Sequence, residues 1–256
     1  MMKRWAVAGV GLGIAAAALV HAPAAWIAAA LAGASDSRVQ LIEPRGTVWH
    51  GEGRLLVGEG AGSPDARVLP GRVYWTLGWS AGALQLLTRA DCCAPVAQQL
   101  RLVPSWGGYT AHLADGSSQW PAALLSALGA PWNTVQPEGE LQLRTRGVSV
   151  EWSDGQAKLL GQVQVDALAM ASRLSTVRPV GSYRVTLTGP GGSAMPTLQL
   201  QTLEGPLRLQ GSGQRHGARW RFTGEASADP QSESALGNLL NMVGRRQGNK
   251  SLLSLG

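Results

Sequence analysis

The residues of this chain that could carry out catalysis form one recognisable pattern, at positions 78–82. These residues read G-x-S-x-G with Ser80 at the centre, the pattern of a serine nucleophile on a sharp strand-to-helix turn. Such a hydrolase also needs an acid and then a histidine later in the chain, and Asp154 or Asp166 followed by His216 gives that order. The residues after Gly82 alternate as a strand does, so the required helix is missing. We therefore interpret the pattern as a chance match and predict that the protein is not an enzyme.

The other residues with catalytic or metal-binding potential are isolated. His50, His112 and His216 stand alone in predicted hairpins, without the paired spacing of a metal site. The sequence contains no phosphate-binding loop, dinucleotide fingerprint or calcium-binding loop. We therefore predict that the protein has no cofactor and no metal.

Cys92 and Cys93 are the only cysteines, and they are adjacent. Neighbouring residues of a strand point to opposite faces, so a bridge between them requires a distorted local backbone. A vicinal disulfide, two free thiols and an intermolecular link are all compatible with the sequence. No further cysteine or histidine lies nearby to complete a metal site, so we predict a local redox or structural feature, with Cys92 and Cys93 as a candidate redox pair.

The beginning of the chain is strongly apolar. Lys3 and Arg4 precede an uncharged run, Trp5–Val20, and a second apolar run, Ala24–Ala34, follows Pro23. This pattern is typical of a transmembrane anchor whose start stays on the cytoplasmic side. A cleaved signal peptide with an A-x-A-like site near residue 34 is the alternative. We favour the anchor, with residues 1–34 as cytoplasmic start and transmembrane helix and residues 35–256 beyond the membrane.

Beyond residue 35 the dominant hydrophobic period is two, which indicates half-buried strands. The alternation recurs from Val73–Leu77 to Ala218–Gly224, with short Gly-, Pro- and Asp-rich turns between the runs. Strands joined so closely must be antiparallel. The sequence therefore predicts a mainly β protein, an antiparallel meander whose sheet is curved and could form a groove.

Two helices interrupt the predicted meander. A short one at Pro121–Leu128 could divide the β region into halves, 35–129 and 130–256. The second begins after Asp229, which we expect to cap it, and Pro230. It carries apolar residues at the helical spacing of 236, 239, 240 and 243 and ends at Gly244. A last strand, Ser251–Leu255, closes the chain.

Charge argues against one class of partner. The chain has 22 basic and 16 acidic residues, a formal net charge of +6, and its basic residues are dispersed. Dispersed cations form a solvated surface, so we predict that the protein does not bind nucleic acid.

The order of these elements, and several short phrases, resemble the type II secretion system protein N family. The end of the chain is the closest match: residues 235–256 give a leucine-rich helix, a Gly-Arg-Arg turn and a short final strand. Supporting phrases are GTVWHG at 46–51, LPGRVYW at 69–75, PVGSYR at 179–184 and TLEGPL at 202–207.

The resemblance implies a single-pass protein of the bacterial inner membrane with its bulk in the periplasm. It implies an accessory or structural role in exporting folded proteins across the outer membrane, and no catalytic residues. Its partners would be other inner-membrane components of the secretion system and the phospholipid bilayer. The family is also similar to AsmA-type proteins, which suggests a lipid- or hydrophobic-ligand-binding module as the alternative function.

The basic residues near the C-terminus have two interpretations. Arg245, Arg246 and Lys250 are candidates for docking onto an acidic partner domain or lipid headgroups. Alternatively, they stabilise the carbonyl end of the preceding helix, as basic residues commonly do.

Overall fold

The computed structural model describes residues 11, 13, 17–153, 155–192, 195–216 and 219–255, and it contains a sheet of sixteen strands in these ranges. The first eight are β1 (Val39–Gly46), β2 (His50–Val57), β3 (Arg67–Val68), β4 (Val73–Ser80), β5 (Ala83–Ala90), β6 (Ala94–Ser105), β7 (Gly108–Leu113) and β8 (Gly116–Pro121). The other eight are β9 (Pro137–Ser153), β10 (Gln156–Ser172), β11 (Gly181–Pro190), β12 (Thr197–Glu204), β13 (Leu207–His216), β14 (Arg219–Ala228), β15 (Arg245–Gln247) and β16 (Lys250–Leu255).

The sheet is an antiparallel meander, as the alternating hydrophobic pattern predicts. Its strand order is β1-β2-β4-β5-β6-β7-β9-β10-β11-β12-β13-β14-β16-β15, with β3 beside β2 and β8 beside β9. Strands on both sides of the 129/130 boundary pair directly, because β9 bonds β7 through residues 149–153 and β8 through residues 140–145. The division into two halves stays a prediction.

The helices are short. From residue 25 onward, the described residues form α1 (Ala25–Ala34), a 3-10 helix (Ala122–Leu128), α2 (Trp132–Val135), a 3-10 turn (Pro230–Ser232) and α3 (Glu233–Val243). The two helices predicted after residue 120 are therefore present, although the first is a 3-10 helix. The predicted capping by the Asp229 side chain is wrong: that side chain makes no cap hydrogen bond and instead accepts one from Arg208 Nε at 2.9 Å.

The N-terminal segment is described only from its later part. Lys3, Arg4 and most of the Trp5–Val20 run lie outside the described residues. Within the described part of the chain, no helix combines the length and hydrophobicity needed to cross a membrane. The Ala24–Ala34 run forms α1, which lies against β1 and packs Ile27 and Leu31 near Leu41 and Trp75.

One face of the sheet carries most of its large apolar side chains. Cross-strand partners share a face, and the register pairs Leu77 with Leu86 and Leu86 with Leu100 on this face. Further along the sheet, Val163 pairs with Leu187, and Leu187 with Leu198. We call this side the apolar face.

Helices and loops cover only parts of the apolar face. The largest buried cluster lies where α3 inserts Leu236, Leu239 and Leu240 against Tyr183 and Leu207. A second cluster surrounds Leu69 and Cys93, and the third lies under α1. The strand segments between these clusters are half-buried.

The meander places alternate connections at opposite edges of the sheet. Six hairpins turn at one edge, which we call the tip edge, and their tips lie within residues 46–50, 79–84, 104–109, 151–158, 189–198 and 214–221. The connections at the other edge, which we call the base edge, lie within residues 58–72, 91–93, 122–136, 173–180, 205–206 and 229–249. All three helices of the β region belong to the base edge.

Candidate functional site

The G-x-S-x-G segment is a β-hairpin in the structure. Ser80 is the last residue of β4 and pairs with Ala83, the first residue of β5, across a tight turn at residues 81 and 82. A strand therefore follows the serine where a nucleophile elbow needs a helix, as the sequence predicts. Of the candidate acids, Asp154 lies outside the described residues and Asp166 is engaged in a structural cluster.

Asp166 belongs to a network of charged side chains that the sequence pattern does not reveal. Its carboxylate accepts hydrogen bonds from Arg184 Nε at 2.7 Å and Arg184 Nη2 at 2.8 Å, and from Gln164 Nε2 at 3.0 Å. Arg144 Nη1 lies 3.5 Å from Oδ2. The hydrogen bonds from Arg184 hold the pKa of the Asp166 carboxyl below its usual value, against the opposing effect of its burial. Because β10 pairs with β9 and β11, only the register brings these residues together.

Cys92 and Cys93 are joined in a vicinal disulfide. They lie in the turn between β5 and β6, at the base edge, and their Cα atoms are 3.7 Å apart. In a strand the two neighbouring side chains would point to opposite faces, but in a turn they can point the same way and be bridged. Cys93 is buried beside Leu69 and Ala94, and its carbonyl accepts a hydrogen bond from the Gln119 backbone N–H at 2.7 Å. A redox role for the pair stays a prediction.

The three candidate docking residues lie on the last two strands. Arg246 Nη2 lies 2.8 Å from Glu233 Oε1, at the start of α3, and Lys250 Nζ lies 3.1 Å from Glu225 Oε2. The hydrogen bond from Lys250 lowers the pKa of the Glu225 carboxyl. Arg245 is exposed on β15. These contacts are with carboxylates, and α3 has no basic residue in its last turn, so they offer no support for the helix-end interpretation.

Beside the second buried cluster, the apolar face contains an open recess. Its volume is about 280 Å³, and Leu55, Leu113, Trp120 and Leu143 are among the residues that line it. The lining side chains come from strands on both sides of the chain midpoint, and most of them are apolar. A recess of this kind can hold an apolar group a few carbon atoms long.

The tip edge is rich in exposed aromatic side chains. Trp106 projects fully into solvent, and Trp79 and Trp152 are 65% and 41% exposed. The Trp152 ring stacks on Tyr109, with the planes 6° apart and the centroids 6.4 Å apart. Trp220 is also partly exposed at the sixth hairpin. The sequence alone does not reveal this arrangement, because the order of hairpins that brings the tryptophans to one edge is a property of the sheet.

Two of the phrases that resemble a known family meet at the base edge. The Tyr183 hydroxyl donates a hydrogen bond to the Leu207 carbonyl at 3.0 Å, and burial raises its pKa. Gly205 has a φ of +112°, and a Cβ there would collide with the backbone of Gly181. The TLEGPL and PVGSYR phrases therefore form one tightly packed unit, and Leu236 of α3 completes its buried cluster.

Comparison with known families assigns the chain to a class of secretion machinery. The family model described as type II secretion system (T2SS), protein N, matches residues 37–252. Because the match covers most of the chain, the protein belongs to this family. No curated protein and no solved structure matches the chain.

Membership in this family has four consequences. The chain is a component of the type II secretion system and interacts with other components of it. The family places it in the cell envelope. It is a family of accessory secretion components and is not known for enzymes.

Proposed function

We propose that this protein is an inner-membrane-anchored, periplasmic component of the type II secretion system, with an accessory or structural role in exporting folded proteins across the outer membrane. The N-terminal apolar run, with Lys3 and Arg4 before it, supports a single anchor whose start is cytoplasmic. The bulk of the chain is then periplasmic, where thiols are oxidised, and the Cys92–Cys93 disulfide agrees with such a compartment.

The observation that carries the proposal is the match of the family model over residues 37–252, together with the β-hairpin at Ser80, where a nucleophile elbow would need a helix. An antiparallel sheet with unpaired outer edges at β1 and β15 suits a scaffold that contacts neighbours.

Deletion of the gene in its native host, followed by measurement of secreted exoproteins, tests the proposal. We expect secretion to fall, and to be restored by the intact chain and equally by the Ser80→Ala variant. Secretion that persists unchanged after deletion argues against a required role. Loss of complementation by Ser80→Ala, with normal protein levels, would instead favour catalysis.

A second candidate function is supported by the apolar face. A half-buried apolar surface that extends across the strands and contains a recess is unusual for a closed core. It suits a module that holds a phospholipid or another hydrophobic ligand in the periplasm.

Lipid analysis of the purified full chain tests this second function. Leu187 lies on the apolar face, and the adjacent Thr188 is exposed on the other face. Leu187→Gln is expected to reduce the phospholipid that co-purifies with the protein, and the matched variant Thr188→Gln is expected to leave it unchanged. Equal lipid content in the two variants and the wild type sets the lipid-holding function aside.

A further inference from the structure

The segment that follows the first apolar run contacts the tip edge of the sheet, before α1 leads to the start of β1. The indole Nε1 of Trp49, at the first hairpin tip, donates a hydrogen bond to the Leu19 carbonyl at 2.9 Å. The Val48 N–H bonds the Ala22 carbonyl at 2.8 Å, and the Ala24 N–H bonds the Gly46 carbonyl at 3.1 Å. The end of the first apolar run is therefore fixed against this edge.

The distribution of tryptophan differs between the two edges. The tip segments contain five of the ten tryptophans: Trp49, Trp79, Trp106, Trp152 and Trp220. The base-edge connections contain one, Trp132. Tryptophan is enriched at the headgroup level of membranes, because its ring is apolar while its N–H can still bond to water or lipid.

Charge does not separate the two edges. The tip segments hold four basic residues, Lys158, Arg215, Arg219 and Arg221, against two acidic ones, Glu151 and Asp154. The base-edge connections hold six basic residues, Arg67, Arg72, Arg173, Arg178, Arg245 and Arg246, against five acidic ones, Glu59, Asp65, Asp91, Asp229 and Glu233. The net charges, 4 − 2 = +2 and 6 − 5 = +1, are close, so the tryptophans and not the charges distinguish the tip edge.

We propose that the tip edge rests on the surface of the membrane that anchors the chain, with the Trp106 and Trp152 rings in the headgroup region. The inference rests on the proposed membrane anchoring and adds an orientation to it. The strands then stand upright on the bilayer and the base edge, with α3 and the disulfide, points away from the lipid. A protein partner at the tip edge is the competing occupant, but the contacts of residues 19–24 with this edge and the exposed tryptophans favour lipid.

Depth-dependent fluorescence quenching of the full chain in liposomes tests this orientation. The liposomes contain phosphatidylethanolamine and the anionic lipid phosphatidylglycerol, with or without brominated phospholipid. Trp106→Cys and Trp152→Cys carry an environment-sensitive maleimide dye, attached without reductant so that the native disulfide does not react. Trp132→Cys is the matched control, because Trp132 and Trp152 are 40% and 41% exposed at opposite edges.

The proposal predicts a blue shift and quenching by brominated lipid at positions 106 and 152, and neither effect at position 132. Absence of quenching at 106 and 152, or equal quenching at all three positions, overturns it. The proposal is also overturned if the dyes at 106 and 152 become shielded from solvent only when solubilised secretion components are added. The tip edge is then a protein interface.

An alkaline wash of the same liposomes separates this inference from the anchoring on which it rests. If the chain resists extraction while the tip dyes stay unquenched, the orientation is wrong and the anchor stands. If the chain is washed off, the proposed anchoring itself is wrong.

Discussion

Replacement of Asp166 by asparagine tests whether the charged network between β9, β10 and β11 stabilises the fold. The Asp166 side chain is only 4% exposed and accepts two hydrogen bonds from Arg184. Asp166→Asn keeps the size of the side chain but places an amide N–H₂ where an acceptor is needed. A hydrogen bond to a charged group contributes about 1.5–3 kcal/mol. Because Arg184 and Arg144 reach solvent and can be hydrated, we expect a loss of about 1–3 kcal/mol in unfolding free energy at neutral pH.

The pH dependence of this loss gives a sharper test. The pKa of Asp166 is lowered in the folded state, so its contribution is complete above the unfolded value of about 3.9 and is lost as the pH falls through the folded value. Urea unfolding of the full chain in mild detergent, followed by tryptophan fluorescence, should therefore show the wild type and the variant converging below about pH 4. Glu138→Gln, which breaks an exposed ion pair with Arg178, is the control. A difference that is the same at pH 7 and pH 3, or no difference at pH 7, refutes the reasoning.

Three further variants test the core and the docking surface. Leu240→Ala should cost about 2–5 kcal/mol in unfolding free energy, because Leu240 is fully buried on the inner side of α3. Met242→Ala, on the exposed side of the same helix, should cost under about 1 kcal/mol, and equal losses contradict this core assignment. Gly205→Ala should lower the yield of folded protein in a protease-resistance assay, because Gly205 has a positive φ and the alanine Cβ would collide with the β11 backbone. Resistance equal to that of the wild type contradicts this packing. Arg245→Glu should weaken co-purification with other secretion components from solubilised membranes more than it lowers thermal stability, and equal losses argue against docking by Arg245.

Much of the sheet could be predicted because its strands alternate cleanly. The Val73–Leu77 run lies in β4 and the Leu159–Val165 run in β10. The apolar stripe at residues 236, 239, 240 and 243 predicted α3, because apolar residues at this spacing form one side of a helix. That side faces the buried cluster in the structure.

The first and eighth strands could not be predicted from hydrophobic period. β1 is interrupted by a bulge at Glu43 and Pro44, where Glu43 has a φ of +51°, and this breaks the alternation. β8 reads GSSQWP and has little apolar period of its own; six residues of β9 give it a pairing partner. Both depend on tertiary pairing, which overrides local propensity.

The candidate sites depend on topology for a similar reason. Trp49, Trp79 and Trp106 are far apart in sequence, and only the alternation of six hairpins brings them to one edge. Asp166 and Arg184 become partners because β10 and β11 pair in one register. The end of the chain was easier to predict, because the helix, the Gly-Arg-Arg turn and the strand are contiguous.

The most direct test of the account is the intact mass of the chain recovered from alkali-washed inner membranes of the native host. The account predicts that the protein stays in the membrane pellet with its first 34 residues retained, at a mass near 26.8 kDa. A mature product that begins near residue 35 and is found in the soluble periplasmic fraction would contradict both the anchor and the orientation built on it.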